Sequence, residues 1–202
     1  MADIQTMTIK DTTANPAPLG LFAFGMTTVL LNFHNAGYYP LDSMILAMGI
    51  FYGGLAQVIV GIMEWKKNNT FGTLAFSSYG LFWLTLVGLI LMAKFGWIDK
   101  PGDPGLIAYL SMWGIFTALL FVGTLRLNRA LQFVFASLVI LFFMLAYVHY
   151  MKMTGNPSAE SFEHITGIEG IICGASAMYT GIAQVWNEIY GKVVLPLGPV
   201  KK

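Results

Sequence analysis

Six long apolar segments, separated by short polar loops, constrain the fold of this 202-residue chain more than any other feature. Each segment is close to the ~20 residues that a helix needs to cross a hydrocarbon core about 30 Å thick, and none alternates strictly like a barrel strand. Hydrophobic residues make up 56% of the chain and charged residues only 10%, far less charge than a soluble domain carries. The sequence therefore predicts an all-α polytopic membrane protein with six transmembrane helices per protomer. The segments are Leu19–Gly37, Ser43–Met63, Phe71–Phe95, Leu106–Leu125, Ala130–Met151 and Ile165–Ile189.

Lysine and arginine are distributed unevenly between the two sides of such a bundle. Three of the 11 basic residues, Lys94, Lys100 and Lys152, fall on one side. The other eight fall on the opposite side: Lys10, Lys66, Lys67, Arg126, Arg129, Lys192, Lys201 and Lys202. Because basic residues favour the cytoplasmic face of a membrane, both termini are predicted to be cytoplasmic.

The chain divides into three parts by composition. Residues 1–14 are a polar N-terminal tail, residues 15–191 are the six-helix transmembrane domain, and residues 192–202 are a short C-terminal tail, with both tails predicted cytoplasmic. On the outer side, the polar stretch TGNPSAESFEHITG at residues 154–167 is predicted to be a surface excursion.

The sequence lacks the residues that several functional classes need. A single cysteine, Cys173, excludes an intramolecular disulfide and a cysteine metal cluster, and the formal net charge of +1 gives no attraction to nucleic acid. No nucleophile–base pair or metal-ligand set is visible within the apolar segments. We therefore predict no enzyme activity, no metal, no cofactor and no nucleic-acid partner.

The first segment opens with two prolines, in the stretch ANPAPLGL. Pro16 and Pro18 lack backbone N–H groups, so they suit the first turn of a helix, which Asn15 is placed to cap. The unpaired N–H groups of that turn would attract an anion, although the same pattern also describes a plain helix start. Further along, Phe24, Thr28 and Asn32 share one helix face, which fits either a pore wall or hydrogen bonding between helices.

The odd-numbered segments share a spacing. Each is preceded by an asparagine, Asn15, Asn69 or Asn128, and nine or ten residues later each reaches a bulky side chain. Those side chains are Phe24, Tyr79 and Leu138. Ten helical residues rise about 15 Å, half the hydrocarbon thickness, so the three side chains are predicted to share one depth, unless the spacing is a coincidence.

Charged residues are confined to the ends of the segments. No lysine or arginine falls in the middle of any segment, and Glu64, Lys94, Glu169 and Glu188 lie near the ends, where they can reach the interface. The motifs GIFYG (Gly49 to Gly53) and GIICG (Gly170 to Gly174) allow close helix packing, either within the bundle or between subunits.

Several stretches resemble one known family. NPAPLGL (Asn15, Pro16, Ala17, Pro18, Leu19, Gly20, Leu21), FGMTTVLLNFHNAGYY, LAMGIFYGGLAQ, NNTFGTLAFSSYGLFWL, LQFVF and ICGASAMY together resemble the acetate uptake transporter family, especially the bacterial succinate–acetate permeases. The resemblance extends over nearly the whole chain, and the outer stretch at residues 154–167 is its main departure.

The resemblance implies a homohexamer in the bacterial inner membrane, with a separate substrate path through each protomer. It places a hydrophobic constriction at Phe24, Tyr79 and Leu138, and it associates selectivity for substrate size with Leu138 and Ala177. Polar residues of the path fall at Thr27, Thr28, Asn32 and Gln57.

The predicted function is transmembrane transport of acetate and related small carboxylates, including succinate, either with a proton or as an anion channel. The main alternative is a channel for a small neutral solute. The others are a structural or sensory membrane protein and an intramembrane enzyme, which lacks support because the spans show no nucleophile–base or metal-ligand set.

Overall fold

The structure is a computed structural model that describes residues 12–200, and this range folds into six long helices. They are α1 (Ala17–Asn35), α2 (Ser43–Lys66), α3 (Thr70–Lys94), α4 (Asp103–Thr124), α5 (Arg129–Met153) and α6 (Ala159–Tyr190), and each is long and apolar enough to cross a membrane. Between residues 12 and 200 there is no β-strand beyond one isolated bridge, between Asn128 and Pro199. The predicted all-helical fold with six spans is confirmed; residues 1–11, Lys201 and Lys202 of the predicted tails lie outside the described residues.

Two helices differ from the sequence prediction. Helix α2 is α-helical over Ser43–Ala47 and Gln57–Lys66 but π-helical over Met48–Ala56, a wider winding that periodicity does not reveal. Helix α6 begins at Ala159, so the prediction of a surface excursion over residues 154–167 was wrong for most of its length. An ion pair between Lys152 Nζ and Glu163 Oε2, at 2.7 Å, joins α6 back to α5 across the short turn.

Asparagine and aspartate side chains start the helices as expected from capping. Asn69 Oδ1 accepts a hydrogen bond from the Gly72 amide at 3.1 Å, and Asn128 Oδ1 accepts one from the Leu131 amide at 2.8 Å. Asn15 Oδ1 accepts from the Ala17 amide at 3.1 Å, directly before α1. The three predicted asparagines therefore stand at the N-terminal ends of α1, α3 and α5.

The six helices form a ring in which each packs against its neighbours in sequence and α6 closes onto α1. Because successive helices alternate in direction, α1, α3 and α5 begin at the same end of the bundle. That end also holds Lys66, Lys67, Arg126 and Arg129, and we call it the basic end.

Glycines allow the tightest crossings of the ring. A Cβ at Gly25 of α1 would lie 2.6 Å from the Gly174 carbonyl oxygen of α6, and a Cβ at Gly174 would lie 2.7 Å from the Gly25 carbonyl oxygen. In α2, a Cβ at Gly53 would lie 2.8 Å from Thr27 Cγ2. Both predicted G-x-x-x-G motifs therefore have glycines in contacts within the bundle.

Residues 192–200 fold back over the basic end, and we call them the C-terminal strap. The Arg129 amide donates to the Gly198 carbonyl at 2.8 Å and the Ala130 amide donates to the Leu197 carbonyl at 3.1 Å. The strap thereby satisfies two of the amides that the first turn of α5 leaves without a helical partner. Asn187 of α6 holds the strap through its side chain, which accepts from the Val194 amide at 2.7 Å.

Candidate functional site

A central cavity of about 490 Å³ runs into the ring from the basic end. Six polar or charged residues surround its mouth: Asn15, Glu64, Asn69, Arg126, Asn128 and Gln184. Its deep end is lined by Phe24, Tyr79 and Leu138, and its walls include Gln57 of α2 and Phe135 of α5. The cavity therefore changes from polar at the mouth to apolar about halfway through the bundle.

The three residues predicted to share one depth converge on this cavity. The rings of Phe24 and Tyr79 have centroids 6.0 Å apart with planes tilted by 48°. Leu138 is 3% exposed and belongs to the same buried cluster. Three helices with parallel directions, α1, α3 and α5, supply these side chains, which is why equal spacing from three capping asparagines brings them together.

Contacts on the far side of the ring hold Tyr79 in place. Its hydroxyl donates to Thr117 Oγ1 of α4 at 3.0 Å, and Thr117 in turn donates to the Trp113 carbonyl at 2.7 Å. The Tyr79 ring also packs edge-on against Phe116 and Phe135. Because the hydroxyl is engaged by α4, Tyr79 offers mainly its apolar ring to the cavity.

Two hydrogen bonds between side chains organise the mouth. Asn15 Nδ2 donates to Gln184 Oε1 at 2.8 Å, which joins the start of α1 to the end of α6. Asn69 Nδ2 donates to Glu64 Oε2 at 2.7 Å, which joins the start of α3 to the end of α2. Glu64 lines the cavity and is 2% exposed, although its place near a helix end predicts a side chain that reaches the interface.

The NPAPLGL motif starts α1 at the wall of the mouth. Asn15, Ala17 and Leu21 line the cavity, and Pro16 is buried. Gly20 faces α2 and α3, since a Cβ there would lie 2.4 Å from Phe76 Cε1. The motif thus combines a helix start, a cavity wall and a close helix contact.

The other predicted path residues lie outside the lining of this cavity, except Gln57. Thr27 is buried against α2 and donates to the Ala23 carbonyl at 2.7 Å. Asn32 donates to the Thr28 carbonyl at 2.9 Å and sits against Gly170 of α6, where a Cβ would lie 2.1 Å from Asn32 Cγ. Ala177 is fully buried in the cluster that contains Phe24 and Leu138.

Thr28 Oγ1 and Gln57 Oε1 are among five side-chain atoms that are buried without a hydrogen-bond partner within residues 12–200. Gln57 lines the cavity directly after the π-helical stretch of α2 and is 1% exposed, so its Oε1 is a buried acceptor without a protein donor in the described range. No group of three histidine, cysteine or acidic side chains that could hold a metal occurs in the described range 12–200.

Sequence reasoning missed three parts of the site. Gln184 lies 169 residues along the chain from Asn15, and Glu64 lies across the turn between α2 and α3 from Asn69; no spacing rule links either pair. The C-terminal strap contributes Leu197 and Val200 to the cavity lining. The prolines and the glycine of LPLGP indicate a turn there, but no sequence pattern indicates which helix the turn contacts.

Comparisons with known proteins agree with this architecture. The Succinate-acetate/proton symporter SatP of Escherichia coli (strain K12) is 55% identical over 185 residues, which cover 92% of this chain and 95% of that protein. An uncharacterized protein of Methanothermobacter thermautotrophicus is 50% identical over 195 residues, 93% of each chain. A solved structure of the bacterial acetate channel SatP superposes with a TM-score of 0.87 at 55% identity, covering 93% of this chain and 100% of that one.

The family model described as GPR1/FUN34/yaaH matches residues 3–201, nearly the entire sequence. The identities, the six apolar helices and the match to a solved channel structure all point the same way. This chain is a multi-pass membrane protein of the GPR1/FUN34/yaaH family.

Proposed function

We propose that this protein transports acetate and related small carboxylates across a membrane through the center of each protomer, with Phe24, Tyr79 and Leu138 as its constriction. The similar SatP proteins, one named a succinate-acetate/proton symporter and one an acetate channel, support acetate as the substrate. They support transport rather than catalysis.

One observation carries the proposal: three bulky side chains from three parallel helices meet at the deep end of a cavity that is polar at its mouth. The cavity admits a small solute past Asn15 and Gln184 and brings it to an apolar ring of side chains at mid-depth. A hydrophobic constriction of this kind can close by dewetting and open to a solute of two or three carbons.

The chemistry of acetate limits how it can pass this constriction. At pH 7 roughly one molecule in 500 to 1,000 is protonated, from a carboxyl pKa near 4. Full desolvation of the anion would cost tens of kcal/mol, and no lysine or arginine lies at mid-depth to offset that cost. The acid must therefore cross as a neutral species with its proton, or as an anion that keeps part of its water while polar side chains such as Gln57 replace the rest.

Further details follow from the family resemblance and extend this proposal. We assign substrate-size selectivity to Leu138 and Ala177, and a polar path beyond the constriction to Thr27, Thr28 and Asn32. Succinate is included as a substrate. We place the protein in the bacterial inner membrane as a homohexamer. The transmembrane domain spans residues 15–191, and the basic end and both tails face the cytoplasm.

A channel for a small neutral solute is the second candidate, because the apolar lining at Phe24, Tyr79 and Leu138 offers no charge to an anion. Competition separates the two candidates. Excess unlabelled acetate should block labelled acetate flux, whereas excess urea or glycerol should not.

The direct test is radiolabelled acetate flux into proteoliposomes that contain the purified protein, with voltage and pH gradient imposed separately. We expect saturable uptake above that of protein-free vesicles. Uptake of acetate equal to that of protein-free vesicles would refute the proposal.

A further inference from the structure

Glu64 is a buried carboxyl group at the mouth of the cavity, and it has no part in the proposed constriction. It is 2% exposed, it lines the cavity, and only one of its two oxygens has a hydrogen-bond partner. Oε2 accepts from Asn69 Nδ2 at 2.7 Å, while Oε1 is buried with no partner among the residues from 12 to 200. A buried carboxylate oxygen without a donor is costly, and a proton on that oxygen turns it into a donor.

The site is built to hold this side chain in one place. Gly72 of α3 leaves the room, since a Cβ there would lie 2.9 Å from Glu64 Cδ and 2.7 Å from Asn69 Nδ2. Asn69 is fixed in turn, because its Oδ1 caps α3 at the Gly72 amide. The carboxyl therefore cannot turn away toward the surface without losing Asn69 and the packing against α3.

Within residues 12–200, three other charged side chains line the two pockets that Glu64 lines. Lys67 follows it on α2, and its Nζ donates to the Thr13 carbonyl. Arg126, from the turn between α4 and α5, lines the same cavity, and Glu188 of α6 lines a smaller adjoining pocket together with Glu64 and Lys67. Helices α1 and α3 bring no charged side chain to this end. No cation within this set is hydrogen-bonded to Glu64 in the described range.

We propose, as an extension of the proposed carboxylate transport, that Glu64 is the proton-binding residue of the passage at its basic end. A neutral carboxylic acid that has passed the constriction transfers its proton to the Glu64 carboxylate and leaves through the polar mouth as an anion. Protonated Glu64 then releases that proton to water at the mouth, and the ionised side chain is restored. In the reverse direction, Glu64 takes a proton from water and gives it to a carboxylate anion that has entered through the mouth.

The test is Glu64→Gln, which keeps the size of the side chain and an oxygen to accept from Asn69 but cannot exchange a proton. Acetate uptake into proteoliposomes is measured under an imposed pH gradient, alongside exchange of labelled for unlabelled acetate at equal pH. We expect Glu64→Gln to lose the response to the pH gradient and to retain exchange. Glu188→Gln, an exposed carboxyl at the same end, is the matched control and should keep both.

The outcomes separate this inference from the proposed function. If the native protein moves no acetate, the proposed function fails. If it moves acetate without any response to pH, transport stands and the role of Glu64 falls, as it does if Glu64→Gln keeps the full response. If Glu64→Gln is not recovered folded, Glu64→Asp decides: the shorter carboxyl should keep a pH response whose profile is shifted, and an unshifted profile would overturn the proposal.

Discussion

The two halves of the proposed passage are built differently. From the basic end to the constriction, side chains surround a cavity of about 490 Å³ with polar groups at its mouth. Beyond the constriction, α1 and α6 are in close contact: Asn32 sits against Gly170, and a Cβ at Gly167 would lie 2.3 Å from the Ala36 amide nitrogen. We call the half at the basic end the open half, because it contains the cavity, and the other half the closed half, because α1 and α6 pack closely there.

This difference separates two kinds of residue. Under the proposed function, we expect residues that line the cavity, such as Phe24 and Leu138, to set selectivity by the space they leave. Those of the closed half act by contact between helices, so substitutions there change stability first. The following predictions test that division, from the largest expected effect to the smallest.

Leu138→Ala should destabilise the protein by about 2–5 kcal/mol, because it removes a buried side chain, and it should raise lactate uptake relative to acetate by widening the constriction. Leu141→Ala is the matched control: Leu141 is equally buried on the same helix but does not line the cavity. It should cost similar stability without altering the lactate-to-acetate ratio. An unchanged ratio in Leu138→Ala would remove Leu138 from the constriction.

Gly174→Ala should destabilise the packing of α1 against α6 by about 1–3 kcal/mol, since the new methyl group would meet the Gly25 carbonyl oxygen, a backbone atom that cannot turn away. Gly88→Ala on α3 should stabilise by up to about 1 kcal/mol, because open space surrounds that position and alanine favours a helix. Thermal unfolding in detergent measures both. Equal melting temperatures for the two variants would contradict the close contact of α1 with α6.

Asn187→Ala should release the C-terminal strap at a cost of about 1–2 kcal/mol, because the Val194 and Leu195 amides lose their acceptor at the mouth of the open half. Hydrogen exchange should speed up at the amides of Arg129 and Ala130, which bond to the strap. Asn156→Ala, in the turn at the other end, is the control and should leave those two amides unchanged. Unaltered exchange in Asn187→Ala would mean that Asn187 does not hold the strap.

The smallest effect is expected at the mouth, between Asn15 and Gln184. A double-mutant cycle with Asn15→Ala and Gln184→Ala should give a coupling energy of about 0.5–1 kcal/mol, the low end for a neutral hydrogen bond that is partly exposed. Denaturant unfolding of the four proteins provides the measurement. A coupling energy of zero would show that the two helix ends are held together by other contacts.

Much of the fold could be predicted from local patterns. The six spans follow from apolar length, since only helices of that length satisfy their backbone within a bilayer. The starts of α3 and α5 follow from Asn69 and Asn128, because a cap acts on the turn next to it, whereas Pro16 takes the cap position of α1, directly after Asn15. Equal spacing from the three asparagines also predicted that Phe24, Tyr79 and Leu138 share a depth, and their side chains line one cavity.

Only the tertiary structure decided which residues of different helices and loops are in contact. Burial of Glu64 depends on Gly72 of the next helix, and the position of the strap depends on the first turn of α5. Likewise, Asn32 packs against Gly170, which lies far along the chain. The sequence by itself determined which segments are helical and how deep each side chain lies, because both are set within one helix. The packing of the six helices decided which side chains face each other, because the rotation of each helix and the order of its neighbours depend on the entire bundle.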